Sequence, residues 1–374
     1  MIHLSSPTSV LLAGGGSAGH VSPLLSLADA LRRRHPDVRV TALGTAEGLE
    51  ARLVPAHGLD LRVVPKVPLP RRPSADLVRL PGRLKAAVDA AGAAIDDTGA
   101  EVVVGFGGYV STPAYLAARR RGVPVVVHEQ NARAGLANRL GARFAAHVAT
   151  TFAVTSLKNA TRIGMPLRRE VATLDRAGSR PEAMARFGLD ASYPTVLVTG
   201  GSLGAQRLND AFRANVERLS SAGVQVLHVT GLGKEFEVTV PEGGAPYVVL
   251  PYADRMELAY AAADLVVARA GANTVCELTA VGLPAVYVPL PVGNGEQRVN
   301  AADVVATGGG LLVDDAALTP EWVATEGVAL ATDRARLEQM AAAAAALGER
   351  AADERLADMV DDAAASTSRE GVRR

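Results

Sequence analysis

Cysteine is nearly absent. Cys276 is the single one in 374 residues, so the chain can form no internal disulfide and no cysteine-built zinc site, and a reducing compartment is expected. Aromatic residues are scarce at 4%, although 48% of the chain is hydrophobic. The core must therefore be built from alanine, valine and leucine, which suits helices packed closely on sheets and excludes intrinsic disorder. Neither sign of charge is in excess, with 39 Lys plus Arg against 39 Asp plus Glu. No chain-wide field then recruits nucleic acid, and any basic surface must be local. Long apolar runs are also missing: stretches such as 123–127 have strand length, far short of the roughly 18 residues that span a bilayer. The N-terminus has no positive cluster ahead of an apolar stretch of export-signal length, which predicts a cytoplasmic protein.

What the chain does have is a rhythm. Short apolar runs at 9–13, 38–43, 102–104, 123–128 and 147–151 alternate with alanine-rich helical stretches such as 23–34 and 84–95. Nearly continuous apolar strands separated by helices indicate a parallel sheet covered on both faces. After Gly164-Met165-Pro166 and a polar stretch to Arg180, a second series begins at 195–199 and continues at 224–229, 247–250, 265–268 and 285–288. The expected fold is α/β with two Rossmann-like domains, 1–164 and 165–345. The remaining 346–374 are expected to form a C-terminal helix that returns to the first domain, followed by a polar tail.

Three glycine turns follow expected strands: Gly14 to Gly19, Gly105-Phe-Gly-Gly108 and Gly200-Gly-Ser-Leu-Gly204. At the carboxyl end of a parallel strand, such a turn lets backbone N–H groups and a helix N-terminus approach an anion. Close strand-to-helix packing would also explain a lone turn. The first turn matches Gly-x-Gly-x-x-Gly, but a dinucleotide site also needs an acidic residue at the end of the second strand. That strand ends Thr41-Ala-Leu-Gly-Thr45, with Glu47 and Glu50 beyond it. No turn ends in Gly-Lys-Ser/Thr, which excludes a P-loop, and no Asp-x-Asp pair presents a divalent metal to a diphosphate. Backbone dipoles and cationic side chains would have to meet a leaving diphosphate, with no tightly bound cofactor.

Six ordered motifs resemble the MurG family: Gly15-Gly-Ser-Ala-Gly-His20, Gly105-Phe-Gly-Gly-Tyr-Val-Ser111, His128-Glu-Gln-Asn131, Gly200-Gly-Ser202, Arg269-Ala-Gly-Ala-Asn-Thr-Val-Cys-Glu277 and Glu296-Gln-Arg-Val-Asn-Ala301. The resemblance runs from residue 10 to about residue 315. It implies a GT-B fold, two Rossmann-like domains with parallel sheets facing a central cleft. The implied activity is an inverting glycosyltransferase that moves N-acetylglucosamine from UDP-GlcNAc to lipid I, making lipid II for peptidoglycan. The first domain would take the lipid acceptor and the second the UDP-sugar. By the same resemblance His20 is either the general base or a residue that positions the acceptor diphosphate. Ser17, Ala18 and Gly19 would cradle that diphosphate or face the donor, Tyr109 and Ser111 would line the turn at Gly105 to Gly108, and Asn131 would reach into the site.

In the second half the resemblance assigns the nucleotide to Arg168, the UDP phosphates to Ser202, and the uracil edge to the backbone of Ala253. Ala272, Asn273, Thr274, Val275 and Cys276 lead into Glu277, whose carboxylate would accept both ribose hydroxyls. Gln297 and Glu296 would contact the sugar. Four positions depart from the common pattern: Ala18 for glycine, Leu203 for glutamine, Met165 for asparagine, and Glu296 for histidine or glutamine. Three rival readings stand beside this one: a transferase with another acceptor, which would share the second domain's motifs; a UDP-GlcNAc epimerase, which has a similar architecture; and a non-catalytic UDP-GlcNAc-binding regulator.

A lipid acceptor requires reach to the bilayer. The strip from Lys66 to Lys85 mixes Leu77, Val78 and Leu80 with Arg71, Arg72, Arg79 and Arg83, an apolar patch ringed by cations, and Arg119-Arg-Arg121 extends it. The composition also fits a solvated helix with a proline-rich entry. The expected location is peripheral, on the cytoplasmic face of the membrane.

Overall fold

Uninterrupted apolar strands need cover on both faces, and a computed structural model of the chain supplies it twice. It describes residues 6–67, 75–201, 204–292 and 294–371. Arg71, Arg72, Ser202 and Leu203 lie outside the described residues, as do the side chains of Leu77 and Val78. The chain divides into two units, residues 1–168 with 350–374, and residues 169–349.

The first unit runs β1 (Ser9–Gly14), α1 (Ala18–Arg34), β2 (Arg39–Gly44), α2 (Glu50–Ala56), β3 (Asp60–Val63), α3 (Ala75–Thr98), β4 (Val102–Gly107), α4 (Ser111–Arg121), β5 (Val125–Glu129), α5 (Leu136–Gly141), β6 (His147–Thr150) and β7 (Ala160–Arg162). Among the described residues these strands form a seven-stranded parallel sheet in the order β3-β2-β1-β4-β5-β6-β7. β1 and β4 are buried along their whole length. One face packs on Leu24, Leu27 and Leu31 of α1 together with Leu356, Ala357 and Val360 of the C-terminal helix Ala352–Gly371. The other packs on Ala91 and Ile95 of α3 and Ala114 and Tyr115 of α4. The C-terminal helix is also tied to α1 by charge: Arg33 pairs with Asp353 and Glu354, Arg34 with Glu354, Asp358 and Asp361.

The second unit runs α6 (Arg169–Ala172), α7 (Arg176–Phe187), β8 (Thr195–Thr199), α8 (Gln206–Arg213), α9 (Val216–Ser221), β9 (Gln225–Val229), β10 (Tyr247–Leu250), α10 (Met256–Ala262), β11 (Leu265–Ala268), α11 (Ala272–Ala280), β12 (Ala285–Tyr287), α12 (Glu296–Asn300) and β13 (Gly310–Leu312). Among the described residues its strands form a six-stranded parallel sheet in the order β10-β9-β8-β11-β12-β13. Arg176 fastens its helices by donating to the carbonyls of Tyr260, Ala263 and Gly282. Burial pulls that guanidinium down to about 10, opposed in part by Asp264.

The structure corrects several expected boundaries. α1 begins five residues before Pro23, at Ala18, so the proline lies inside the helix rather than at its start. α3 begins at Ala75 and carries Pro81 within it, well before the expected 84. β3, β7 and β13 are additional strands; β3 and β7 are short and mixed in sequence, and β13 is only three residues, Gly-Leu-Leu. The first unit closes at Arg168, four residues beyond the expected 164.

Each sheet also buries a neutral histidine. In β5, His128 donates from Nε2 to the Gly164 carbonyl. In β9, His228 lies between the Tyr247 hydroxyl at 2.8 Å from Nδ1 and Asn209 Oδ1 at 3.0 Å from Nε2. Burial lowers the two from 6.5 to about 4 and about 3. Below pH ~6.5 the unfolded chain therefore binds more protons than the folded one, and stability falls as pH falls. Each histidine contributes up to about 1.4 kcal/mol per pH unit. Thermal melts should show the midpoint dropping between pH 6.5 and 4, and H228Q should make the second unit's fall shallower. An unchanged slope would assign the acid sensitivity to other groups.

Candidate active site

In a doubly wound sheet the connections diverge where strand order reverses, leaving a crevice at the carboxyl ends. The reversal lies between β1 and β4 in the first unit and between β8 and β11 in the second. The glycine motifs are placed at these four strand ends.

From β1 the chain passes through Gly15, Gly16 and Ser17 into α1, so Ala18, Gly19 and His20 make the first helical turn. Gly16 has φ +85°, open to glycine at little cost. Gly16 and Ser17 are exposed, and Ala18, Gly19 and His20 half-buried. His20 Nδ1 lies 3.0 Å from the Gly15 carbonyl oxygen and 3.2 Å from Ser17 Oγ. A carbonyl only accepts, so Nδ1 carries the proton and Nε2 keeps its lone pair, the form a general base needs. Beside the turn is a cavity of about 320 Å³ lined in part by Gly15, Gly16, Glu47, Arg52, Lys66 and Tyr109. Tyr109 is 43% exposed, with the Lys66 ammonium 6.0 Å from its ring centre.

The expected turn at Gly105 to Gly108 is largely strand. β4 continues to Gly107, and Gly105 pairs with both Ala13 and Val127. A Cβ on Gly105 would fall 2.1 Å from the Tyr115 ring, so this glycine makes room for a buried tyrosine. Only from Gly108 does the backbone leave the sheet. Ser111 does not line a binding surface: fully buried, its hydroxyl accepts from the Gly107 N–H and lies 2.9 Å from the Ala13 carbonyl, tying β4 to β1.

After β5, the His128-Glu-Gln-Asn131 motif divides between scaffold and surface. Glu129 is buried and accepts from the N–H groups of Asn131 and Gly135 and from the Asn138 side chain. Asn138 in turn accepts from the Tyr115 hydroxyl. Gln130 donates to the His128 carbonyl. These contacts hold Asn131, which is half-buried, at the carboxyl end of the sheet.

In the second unit Gly200 follows β8 where no side chain fits, since a Cβ would lie 2.1 Å from the Ala205 nitrogen. Gly204 has φ +66°, and its Cβ would meet the Thr230 carbonyl at 2.1 Å. After β11, Arg269 is held by Asp315 at 2.6 Å and by the carbonyls of Val288 and Pro289, a structural brace for the loop. α11 then carries Ala272 to Glu277 in its first two turns, with Ala272 and Val275 buried and Asn273, Thr274 and Cys276 half-buried. The Glu277 carboxylate accepts from the Tyr260 hydroxyl at 2.6 Å. Ala253 is buried in the loop after β10. Glu296 and Gln297 open α12, and Asn300 of that helix donates to the Ala270 carbonyl, linking it to the 269–271 loop. Gln297 Oε1 accepts from the Leu290 N–H, which fixes the orientation of its amide. Arg168, half-buried, is the last residue of the first unit's main segment.

Among the described residues no group of three or more His, Cys, Asp or Glu is arranged to hold a metal ion. The cationic strip is more engaged than its sequence implies. Arg121 forms a two-pronged pair with Asp96, Arg120 lies 4.0 Å from Asp89, and Arg119 stacks over Phe144. The arginine triplet therefore ties α4 to its neighbours instead of extending an open patch. Arg79 and Lys85 remain exposed on α3, the latter pairing with Asp89.

Four residues without an expected role shape these sites: Glu50, Glu129, Asn138 and Tyr260. Glu129 stood inside a quoted motif, and the signal available for Glu50 was the acid set among Gly44, Gly48 and the first glycine turn. Asn138 and Tyr260 had no local signal.

Comparison with known proteins bears on both halves. The glycosyltransferase family 28 N-terminal domain matches residues 10–150, and the C-terminal domain of that family matches residues 195–356. A Streptomyces avermitilis protein is 56% identical over 361 residues, covering 96% of this chain and 99% of its own. One from a Nocardioides species is 59% identical over 353 residues, covering 94% and 97%. Both are named UDP-N-acetylglucosamine–N-acetylmuramyl-(pentapeptide) pyrophosphoryl-undecaprenol N-acetylglucosamine transferase. The crystal structure of Acinetobacter baumannii MurG superposes with a TM-score of 0.74 at 27% identity, covering 95% of this chain and all of that one. A calicheamicin glycosyltransferase, at 20% identity and a TM-score of 0.67, shares the fold. With both sheets, the ordered motifs and full-length similarity in agreement, the chain belongs to glycosyltransferase family 28 and, within it, to the MurG family.

Proposed function

We infer that the chain transfers N-acetylglucosamine from UDP-GlcNAc to the C4 hydroxyl of the N-acetylmuramyl-pentapeptide of lipid I, with inversion, forming lipid II in peptidoglycan synthesis. The observation that carries this is identity above 50% over nearly the whole chain to transferases named for that reaction. In this reading the acceptor hydroxyl attacks C1 from the face opposite UDP. His20 takes its proton as the new C–O bond forms and the bond to the diphosphate breaks. The acceptor diphosphate lies on the Ser17, Ala18 and Gly19 turn with Tyr109 and Asn131 near it. The donor lies on the second unit: Glu277 to ribose, the Ala253 backbone to uracil, Ser202 and the α11 N-terminus to the phosphates, Gln297 and Glu296 to the sugar; Arg168, the last residue of the first unit's main segment, is assigned to the nucleotide by the same resemblance.

Purified protein incubated with labelled UDP-GlcNAc should move the label into lipid only when lipid I is present. Label appearing in an altered free UDP-sugar would indicate an epimerase, and binding without turnover a regulator.

The enzyme would meet its acceptor as a peripheral protein on the cytoplasmic face of the membrane. No helix among the described residues is long and apolar enough to cross one. The strip from Lys66 to Lys85 is the proposed contact, each cation contributing about 1 kcal/mol at an anionic leaflet. Charge reversal at Arg71, Arg72 and Arg79 together should reduce binding to anionic liposomes by at least about tenfold at low salt. Unchanged binding would remove the strip from this role.

A further inference from the structure

Glu50 is fully buried beneath the first glycine turn. Its Oε2 accepts the Gly16 N–H at 2.8 Å, and its Oε1 accepts the N–H and hydroxyl of Thr45 at 2.9 and 2.8 Å. Burial alone would raise the carboxyl; the bonds from Gly16 and Thr45 outweigh it and hold Glu50 below the usual carboxylate range. The surrounding sequence is cut to admit this side chain. A Cβ on Gly15, Gly44 or Gly48 would come within 2.4, 2.4 and 2.1 Å of Glu50 atoms.

The Gly16 N–H and the Gly15 C=O belong to one trans peptide and point in opposite directions. Fixing the N–H on Glu50 therefore aims the carbonyl the other way, to where it lies 3.0 Å from His20 Nδ1. Gly108 packs against the same oxygen, where a Cβ would come to 2.5 Å, so the carbonyl has little freedom to turn aside. Donating its N–H to a carboxylate polarises a peptide and makes its carbonyl oxygen a stronger acceptor. We propose that Glu50 is a positioning residue for His20, acting through the Gly15–Gly16 peptide to keep the proton on Nδ1 and the lone pair on Nε2. This is a carboxylate–histidine arrangement with a peptide group as its middle member, and it rests on His20 being the base. In the transfer step the acceptor hydroxyl gives its proton to Nε2 while its oxygen bonds to C1. The C1–diphosphate bond breaks, and UDP leaves with the electron pair.

E50Q keeps the size of the side chain but removes its charge and turns an NH₂ toward one of the donors it now accepts. It should lower kcat about 10- to 100-fold, leave the KM for UDP-GlcNAc within about twofold, and add almost nothing in an H20Q background. Ring ¹⁵N spectra should show His20 in the Nδ1–H form in the native enzyme and mixed tautomers in E50Q, with E50D intermediate. A folded E50Q with native kcat and an unchanged His20 tautomer would overturn the proposal. So would a loss of the same size with and without His20, which would make Glu50 merely structural. If E50Q does not fold, a native enzyme whose His20 carries its proton on Nε2 overturns it equally. Should H20Q retain native turnover, the base reading fails, while the ring spectra still report separately whether Glu50 sets the tautomer.

Discussion

Replacing His20 with alanine is expected to lower turnover by about 10²- to 10⁴-fold, the range of general base catalysis, while UDP-GlcNAc binding changes little. Two features of the structure set this expectation. The imidazole sits in the first turn of α1, at the strand-order reversal where an acceptor would enter, and its Nδ1 is already engaged by the Gly15 carbonyl. The nitrogen left to act is Nε2, and it borders Gly107, where a Cβ would crowd it at 3.2 Å. The residues proposed for the donor, Arg168 apart, belong to the second unit, so removing the ring should spare donor affinity. If His20 only positions the acceptor diphosphate, the loss would appear chiefly as a raised KM for lipid I and would be restored in part by glutamine, a hydrogen-bond donor that cannot take the proton. Native turnover in H20A would end both roles.

The parts of this molecule that could be read from the sequence are those whose cause is local. A buried parallel strand needs an unbroken apolar run, and β1, β5, β8 and β11 announce themselves that way. β3, with the sequence Asp-Leu-Arg-Val, lies at the sheet's edge, mostly exposed, so no such run was required of it. The start of α1 was obscured because proline favours a first helical turn, whereas Pro23 is accommodated one turn further in. Gly105 looked like a turn because glycine permits one; its actual task, clearing Tyr115, depends on a residue whose ring reaches it only after folding. The same holds for chemistry. His20 and Glu277 stand in dense local motifs, but Glu50 meets Gly16 across 34 residues and Tyr260 meets Glu277 across 17, and such partners are brought together by topology alone. The arginine triplet on α4 misled for a related reason: its acidic partners are on α3, so charge that is clustered along the chain is neutralised in space.

Replacing Glu277 with alanine should weaken UDP binding about 10- to 100-fold, corresponding to the net loss of one hydrogen bond to a charged group at about 1.5–3 kcal/mol. The carboxylate is nine-tenths buried, and the Tyr260 hydroxyl donates to it at 2.6 Å, which fixes the plane in which its remaining acceptor sites are presented. Two vicinal ribose hydroxyls match such a carboxylate, and an ionised acid has enough lone pairs to take them together with the tyrosine. Y260F should therefore weaken UDP less than E277A does, since it loosens the carboxylate without removing it. The sharper test varies the ligand. Calorimetric titration of native protein should show 2′-deoxy-UDP binding more weakly than UDP, and E277A should bind the two almost alike, because the partner of the 2′-hydroxyl is gone. If E277A still separates the two nucleotides as widely as the native protein, the ribose hydroxyls are read by some other group and Glu277 serves only to anchor Tyr260.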